Sequence, residues 1–205
     1  MALAVEQQVQ RLVALSAANI DDDDMLQPSR FRGDRNREAD QLAMSAGLPA
    51  VSLRPSVFAS TAADMWATQI RNGDVVRGPY EGASFAPVVD EDIAAVAVHA
   101  LTDDTLVGRR VVLTGPEVLT VADQVATIGE VLGRPLRFVE VGPDAVRGAM
   151  TGAGAAPAFV NAYLALQRAA VDNPATVTDE IATITGRPAA RFRDWVVAHR
   201  DLFEA

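Results

Sequence analysis

The chain has 205 residues, 49% of them hydrophobic and 22% charged, with a net charge of -9 and an isoelectric point near 4.7; that is enough for one large domain, or one domain with a small appended lobe. The acidic balance argues against nucleic acid or an anionic membrane as a partner. All 18 basic residues are arginine and there is no cysteine, which excludes Schiff-base chemistry, a phosphate-loop lysine, a tyrosine–lysine dyad, disulfides and thiolate metal sites.

Helix and strand signals alternate along the chain with short turns, the pattern of a largely parallel α/β sheet. A helix is predicted at 2–9 and a strand at 11–17, built on Leu12-Val13-Ala14-Leu15. The apolar run Leu12–Ala18 is no signal peptide, because Glu6, Gln7, Gln8 and Gln10 interrupt it and no basic residue precedes it; a soluble, cytoplasmic protein is the expectation. The strand leads into Asp21-Asp22-Asp23-Asp24, and the first glycine is Gly33. A phosphate-binding first turn needs glycines that let backbone N–H groups close on a pyrophosphate, and four carboxylates would repel one. The acidic run therefore reads as a solvated turn, and its spacing does not suit a calcium loop.

A helix over 35–46 should end at Gly47, and Ala50–Pro55 reads as the next strand, giving a strand–helix–strand crossover that brings both strand ends to one edge. A helix from Phe58 to Arg71, a short strand at 75–79 and a helix capped by Asp90 follow, the last carrying Ile93, Val96, Ala97, Ala100 and Leu101 on one face. Arg110–Thr114 is predicted as a strand. Thr120 and Asp123 form a capping-box pattern ahead of the Val121, Val125, Ile128 and Leu132 stripe. Leu136–Val141 alternates as a strand, and Pro143 opens a short helix. Met150–Pro157 reads as a flexible loop, and helices are expected at 157–171, 177–185 and 190–203.

Four ordered segments carry a family resemblance: Ala46–Phe58 (AGLPAVSLRPSVF), Phe85–Ala94 (FAPVVDEDIA), Leu113–Thr120 (LTGPEVLT) and Leu132–Leu136 (LGRPL). They resemble the SGLPxTxLRPxxF, APxDxxDIA, TGPExLT and LGRPL segments of NmrA-like proteins, which are atypical short-chain dehydrogenases/reductases. The resemblance implies an α/β fold: a partial Rossmann-like parallel sheet with a C-terminal, mostly helical substrate lobe. It divides the chain into 1–115, the later half of an NAD(P)-binding domain, and 116–205, the lobe. Family members carry GxxGxxG after their first strand. Arg11–Ala17 looks like their fifth strand, so the glycine loop and the ribose-reading acidic residue are expected to lie outside this chain. Gly152-Ala153-Gly154 lacks a preceding strand and a third glycine, and reads as loop.

The resemblance also implies site residues. Ser16 matches the serine closing the family's fifth strand, and is a candidate for catalysis and cofactor contact, with a turn residue as the alternative. Asn36 and Asp40 fall where the tyrosine and lysine of ordinary short-chain dehydrogenases stand; Asn36 is the other catalytic candidate, though neither side chain can do the dyad's chemistry. Arg54, Pro55, Ser56 and Phe58 match the loop beside the nicotinamide, or else simply end a strand and cap a helix. Tyr80 lines a substrate pocket by analogy, or sits in a surface turn. His99 reads as solvated and His199 as a core-edge residue, and no metal site is expected.

Two functional readings follow. One is an NmrA-like NAD(P)-binding oxidoreductase or redox sensor with weak or lost cofactor binding and an unidentified small-molecule substrate. The other is a shortened, non-enzymatic relative acting through protein contacts, for instance as a homo-oligomer through an open sheet edge at Leu12–Leu15.

Overall fold

The computed structural model describes residues 2–204. Its first half runs α1 (Ala2–Glu6), β1 (Leu12–Leu15), α2 (Asn36–Met44), β2 (Ala50–Pro55), α3 (Thr61–Asn72), β3 (Val75–Gly78), β4 (Ser84–Phe85) and α4 (Asp90–Thr102). The second half runs β5 (Arg110–Leu113), β6 (Leu119–Thr120), α5 (Val121–Leu132), β7 (Arg137–Glu140), α6 (Pro143–Gly152), α7 (Pro157–Asp172), α8 (Glu180–Thr185) and α9 (Phe192–Ala198).

β2 is central. Ala50, Val51, Ser52 and Leu53 are at most 4% exposed, as in a strand covered on both faces. It pairs in parallel with β1, Leu12 opposite Ala50, and with β5, Ser52 opposite Arg110. Parallel pairing places the C-terminal ends of all three strands at one edge, and the chain after β1 follows β2 outward, Ala18 N–H donating to Pro55 O at 2.9 Å. α4 packs Ile93, Val96 and Ala100 beneath Val51, Leu53 and Leu113. A separate parallel pair, β3 with β7, and the antiparallel pair of β4 with β6 lie beyond this sheet. A second core joins α3, α5 and α9 through Ile70, Val125, Ile128, Phe192 and Trp195.

The capping box forms as expected: Thr120 Oγ1 accepts from Asp123 N–H at 3.0 Å and Asp123 Oδ2 from Thr120 N–H at 3.0 Å. Other boundaries move for physical reasons. α1 stops at Glu6, and Gln8 then takes a left-handed φ of 53° that a helix cannot contain. Val89, not Asp90, sits at the cap of α4; Asp90 accepts instead from the Ser60 hydroxyl at 3.3 Å and places its charge on the positive end of the helix. α6 continues through Met150 to Gly152, so only 153–156 of the expected loop is irregular. The last helix ends at Ala198, and a separate 3₁₀ turn, Arg200–Phe203, returns Phe203 edge-on to Trp195 at 6.3 Å. The two-residue strands β4 and β6 are too short to produce a readable period.

Gly115 lies where a Cβ would come within 1.9 Å of Pro87 O, while the same atom on Gly82 would meet nothing within 4 Å. Gly115→Ala is expected to lower unfolding free energy by about 2–3 kcal/mol, and Gly82→Ala to change it by less than about 0.5 kcal/mol, in urea denaturation.

Candidate active site

The shared strand edge brings several of the expected residues together. Ser16, 5% exposed, closes β1, its N–H bonded to Leu53 O at 2.8 Å. Its hydroxyl donates to the backbone O of Asn36 at 2.9 Å. So Ser16 and Asn36 do meet, but through the Asn36 main chain; the Asn36 amide turns to Ser29 Oγ at 3.4 Å. Among the described residues no base bonds the serine hydroxyl, whose proton goes to the Asn36 carbonyl.

One turn along α2, Asp40 is 1% exposed and stands between two arginines: Arg54 Nε donates to Oδ1 at 3.1 Å and Arg110 Nε to Oδ2 at 3.2 Å. Burial by itself would raise the Asp40 pKa, but the hydrogen bonds from the two arginines and the Arg54 charge outweigh it and hold the carboxyl below its usual range. Arg54 also donates through Nη1 to Asp21 Oδ2 at 2.7 Å. The guanidinium expected beside a nicotinamide is thereby occupied by two carboxylates. Ser56 is tied down as well, its N–H to Leu113 O at 2.8 Å and its hydroxyl to Ala86 O at 2.5 Å. Pro55 is buried at the end of β2. Phe58 faces the other side of the sheet, lining an apolar groove of about 410 Å³ with Val13, Leu15, Leu53 and α4.

The acidic run is exposed, as a solvated turn should be, and two of its four carboxylates are also paired. Asp21 meets Arg54, and Asp24 meets Arg37 at 2.7 Å and Arg30 at 3.3 Å. Arg30 in turn donates to both Glu38 oxygens at 2.8 and 3.0 Å. These pairs fold the segment 19–35 back over α7, where Phe31, Tyr80, Phe159 and Tyr163 gather around Val160 and Leu164. Tyr80 is no surface turn: it packs into two apolar clusters at a left-handed φ of 51°, a conformation that costs a non-glycine residue about 1 kcal/mol or more.

Two residues of this wall escaped sequence reading. Tyr163 stacks on Phe159 with centroids 6.4 Å apart, and burial pushes its phenol up to about 12. Arg32 lays its guanidinium 4.1 Å from the Phe159 ring centre and, among the described residues, makes no ion pair. The i, i+4 spacing of Phe159 and Tyr163 on a predicted helix was the available signal; Arg32 had none. The larger depression, about 590 Å³ lined by Arg110, Thr178 and Glu180, lies at the β5 side and groups no nucleophile with a base. His99 is half-buried on α4, and His199 stacks on Trp195 at 4.8 Å, as a core-edge residue should.

The chain matches no family model. It is 39% identical over 196 residues, 95% of its own length and 68% of the relative's, to (4-alkanoyl-5-oxo-2,5-dihydrofuran-3-yl)methyl phosphate reductase of Streptomyces griseus subsp. griseus. It is 30% identical over 184 residues to the NAD(P)H azoreductase of Xenophilus azovorans, covering 89% of this chain and 63% of that one. Among solved structures, the NADPH-dependent quinone oxidoreductase of Escherichia coli complexed with NADPH superposes with a TM-score of 0.79 at 14% identity, over 98% of this chain and 69% of that one. The last likeness shows a Rossmann-like fold.

A folded-state pKa held below the unfolded value of about 4 means that Asp40 contributes stability above that pH and loses it as pH falls through the folded value. Asp40→Asn is expected to cost about 3 kcal/mol near neutrality, and the gap to wild type should narrow as pH is lowered from about 6 to about 3 in chemical denaturation series.

Proposed function

Because the chain belongs to the NmrA-like family of NAD(P)-binding, atypical short-chain dehydrogenases/reductases, we propose that it forms the substrate-facing part of a nicotinamide-dependent reductase of electron-poor, conjugated small molecules. The observation that carries this is the 39% identity to a reductase of an unsaturated lactone phosphate, spread over 95% of the chain. In this reading 1–115 contributes the sheet side and 116–205 the lobe that closes over the substrate, in the cytoplasm, where such a reductant is kept.

The residues present do not fit the pyrophosphate of the cofactor. The described chain has no glycine-rich turn after a strand, the turn after β1 carries Asp21–Asp24 and would repel a phosphate, and Arg54 is held by Asp40 and Asp21. No chemical step is therefore assigned to a cofactor here. The chain's own residues build a substrate wall. Phe31, Tyr80 and Phe159 exclude water. Tyr163 stays protonated at neutral pH, so its phenol is suited to donate to a carbonyl oxygen. Arg32, seated on Phe159 without a carboxylate partner, is suited to an anionic group such as the phosphate of the Streptomyces relative's substrate.

Titration of this 205-residue chain with NADPH, followed by fluorescence, is expected to give weak binding or none; sub-micromolar affinity would contradict the reading of the phosphate site. In calorimetry with the lactone phosphate, Arg32→Gln should weaken binding about tenfold while leaving the dephosphorylated compound unaffected. Equal losses for both compounds would remove the phosphate role.

A further inference from the structure

Buried polar side-chain atoms are almost always hydrogen-bonded, and among the described residues three oxygens lack a well-aligned partner: Ser52 Oγ, Asp92 Oδ1 and Gln167 Oε1. Two of them stand beside charged groups, Asp92 Oδ1 at 2.7 Å from Arg187 Nη1 and Ser52 next to Asp40. Gln167 stands on an apolar stripe instead. Phe159, Val160, Tyr163, Leu164, Gln167 and Ala170 recur at three- and four-residue steps along α7 and so share one face, and Gln167 is 9% exposed there. An apolar residue of similar size would suit that position better, because an amide taken out of water without a partner opposes folding.

The surroundings of Gln167 direct it toward the aromatic wall. A long helical side chain leans toward the helix N-terminus, which carries this amide over Tyr163 and Leu164. Tyr80 packs both in the cluster that contains Ala170 and in the one that contains Leu164 and Tyr163, so it spans the turn of α7 that carries Gln167. On the far side β4 closes the space, Ser84 Oγ reaching Ala170 O at 3.4 Å. No hydrogen bond holds Oε1 where it is, so the amide is free to swing on its flexible stem, and turning it over presents N–H groups in place of the oxygen.

We infer that Gln167 is a specificity-determining contact, donating from its amide to a second carbonyl of the substrate, one helical turn beyond the carbonyl that Tyr163 serves. The inference rests on the reductase reading above. On that reading, the compound in the Streptomyces relative's name offers three polar groups: a phosphate, a ring carbonyl and an alkanoyl carbonyl. The wall offers three positions in line, Arg32 over Phe159, then Tyr163, then Gln167. Successive positions on α7 rise by about 6 Å, a spacing comparable with a substituted five-membered ring. A ligand without the second carbonyl would leave the amide unpaired, and sites built to bond a polar group reject analogues that lack it.

The test compares wild type with Gln167→Met, which keeps the volume and removes the amide, by calorimetry with the lactone phosphate and by urea denaturation. Heteronuclear NMR of the wild type follows the side-chain N–H signals of Gln167 as the lactone phosphate is added. The expected result is binding about tenfold weaker in Gln167→Met, an unfolding midpoint equal to that of wild type or higher, and a shift of the Gln167 signals on addition of the compound. Unchanged affinity and unshifted signals, with the loss in Arg32→Gln still seen, overturn the Gln167 contact and leave the reductase reading standing. A lower midpoint in Gln167→Met together with unshifted signals marks a structural amide and also overturns the contact. Failure of wild type to bind the lactone phosphate overturns both.

Discussion

A carboxylate taken out of water must be compensated, and Asp40 is the point where this fold meets that demand. Arg54 reaches it from the central strand and Arg110 from β5, so α2 is tied to both strands through one side chain. The same Arg54 reaches Asp21 in the segment that leaves β1. Through two carboxylates and two guanidinium groups, the loop over the crevice, the helix beside it and the sheet beneath it are held in one arrangement. Removing one partner would leave a buried charge unpaired, which costs far more than the net worth of the pair. The use of arginine suits the geometry, because its planar fork can serve two acceptors where an ammonium group would not span them.

That arrangement changes the meaning of the positions that the family resemblance marked. Where ordinary short-chain dehydrogenases hold a tyrosine and a lysine, this chain has Asn36, whose main-chain oxygen receives the Ser16 hydroxyl, and Asp40, which anchors the arginines. One layer out lies the aromatic wall of Phe31, Tyr80, Phe159 and Tyr163 with Arg32 against it, the surface proposed to face the substrate. Arg30, Arg37 and Arg54 are paired to carboxylates, whereas Arg32, which makes no ion pair among the described residues, lies over the Phe159 ring.

Much of the fold was legible because its signals are periodic or conformational. β2 is a short run of Ala50, Val51 and Leu53 ended by Pro55, α5 carries a complete capping box, and Gly133 ends it in the left-handed region at φ 66°. The site was less legible because its decisive contacts are long-range. Nothing local says that Arg54 meets Asp40, 14 residues away, and Arg110 meets it from 70 residues away. The acidic run is exposed as expected, but its pairing was not legible, since Asp21 meets Arg54 and Asp24 meets Arg37 and Arg30. Tyr80 read as a surface turn because a Gly-Pro-Tyr-Glu-Gly sequence suits one, and only tertiary packing pulled the ring into two apolar clusters.

The claim that Asp40 and Arg54 act as one structural unit is tested most directly by a double-mutant cycle of Asp40→Asn and Arg54→Gln, read as unfolding free energies at neutral pH. The account predicts strong coupling, on the order of 2 kcal/mol, with the double variant hardly less stable than the worse single one. Costs that add within about 0.5 kcal/mol would contradict it, and would return Arg54 to the role of a free crevice cation.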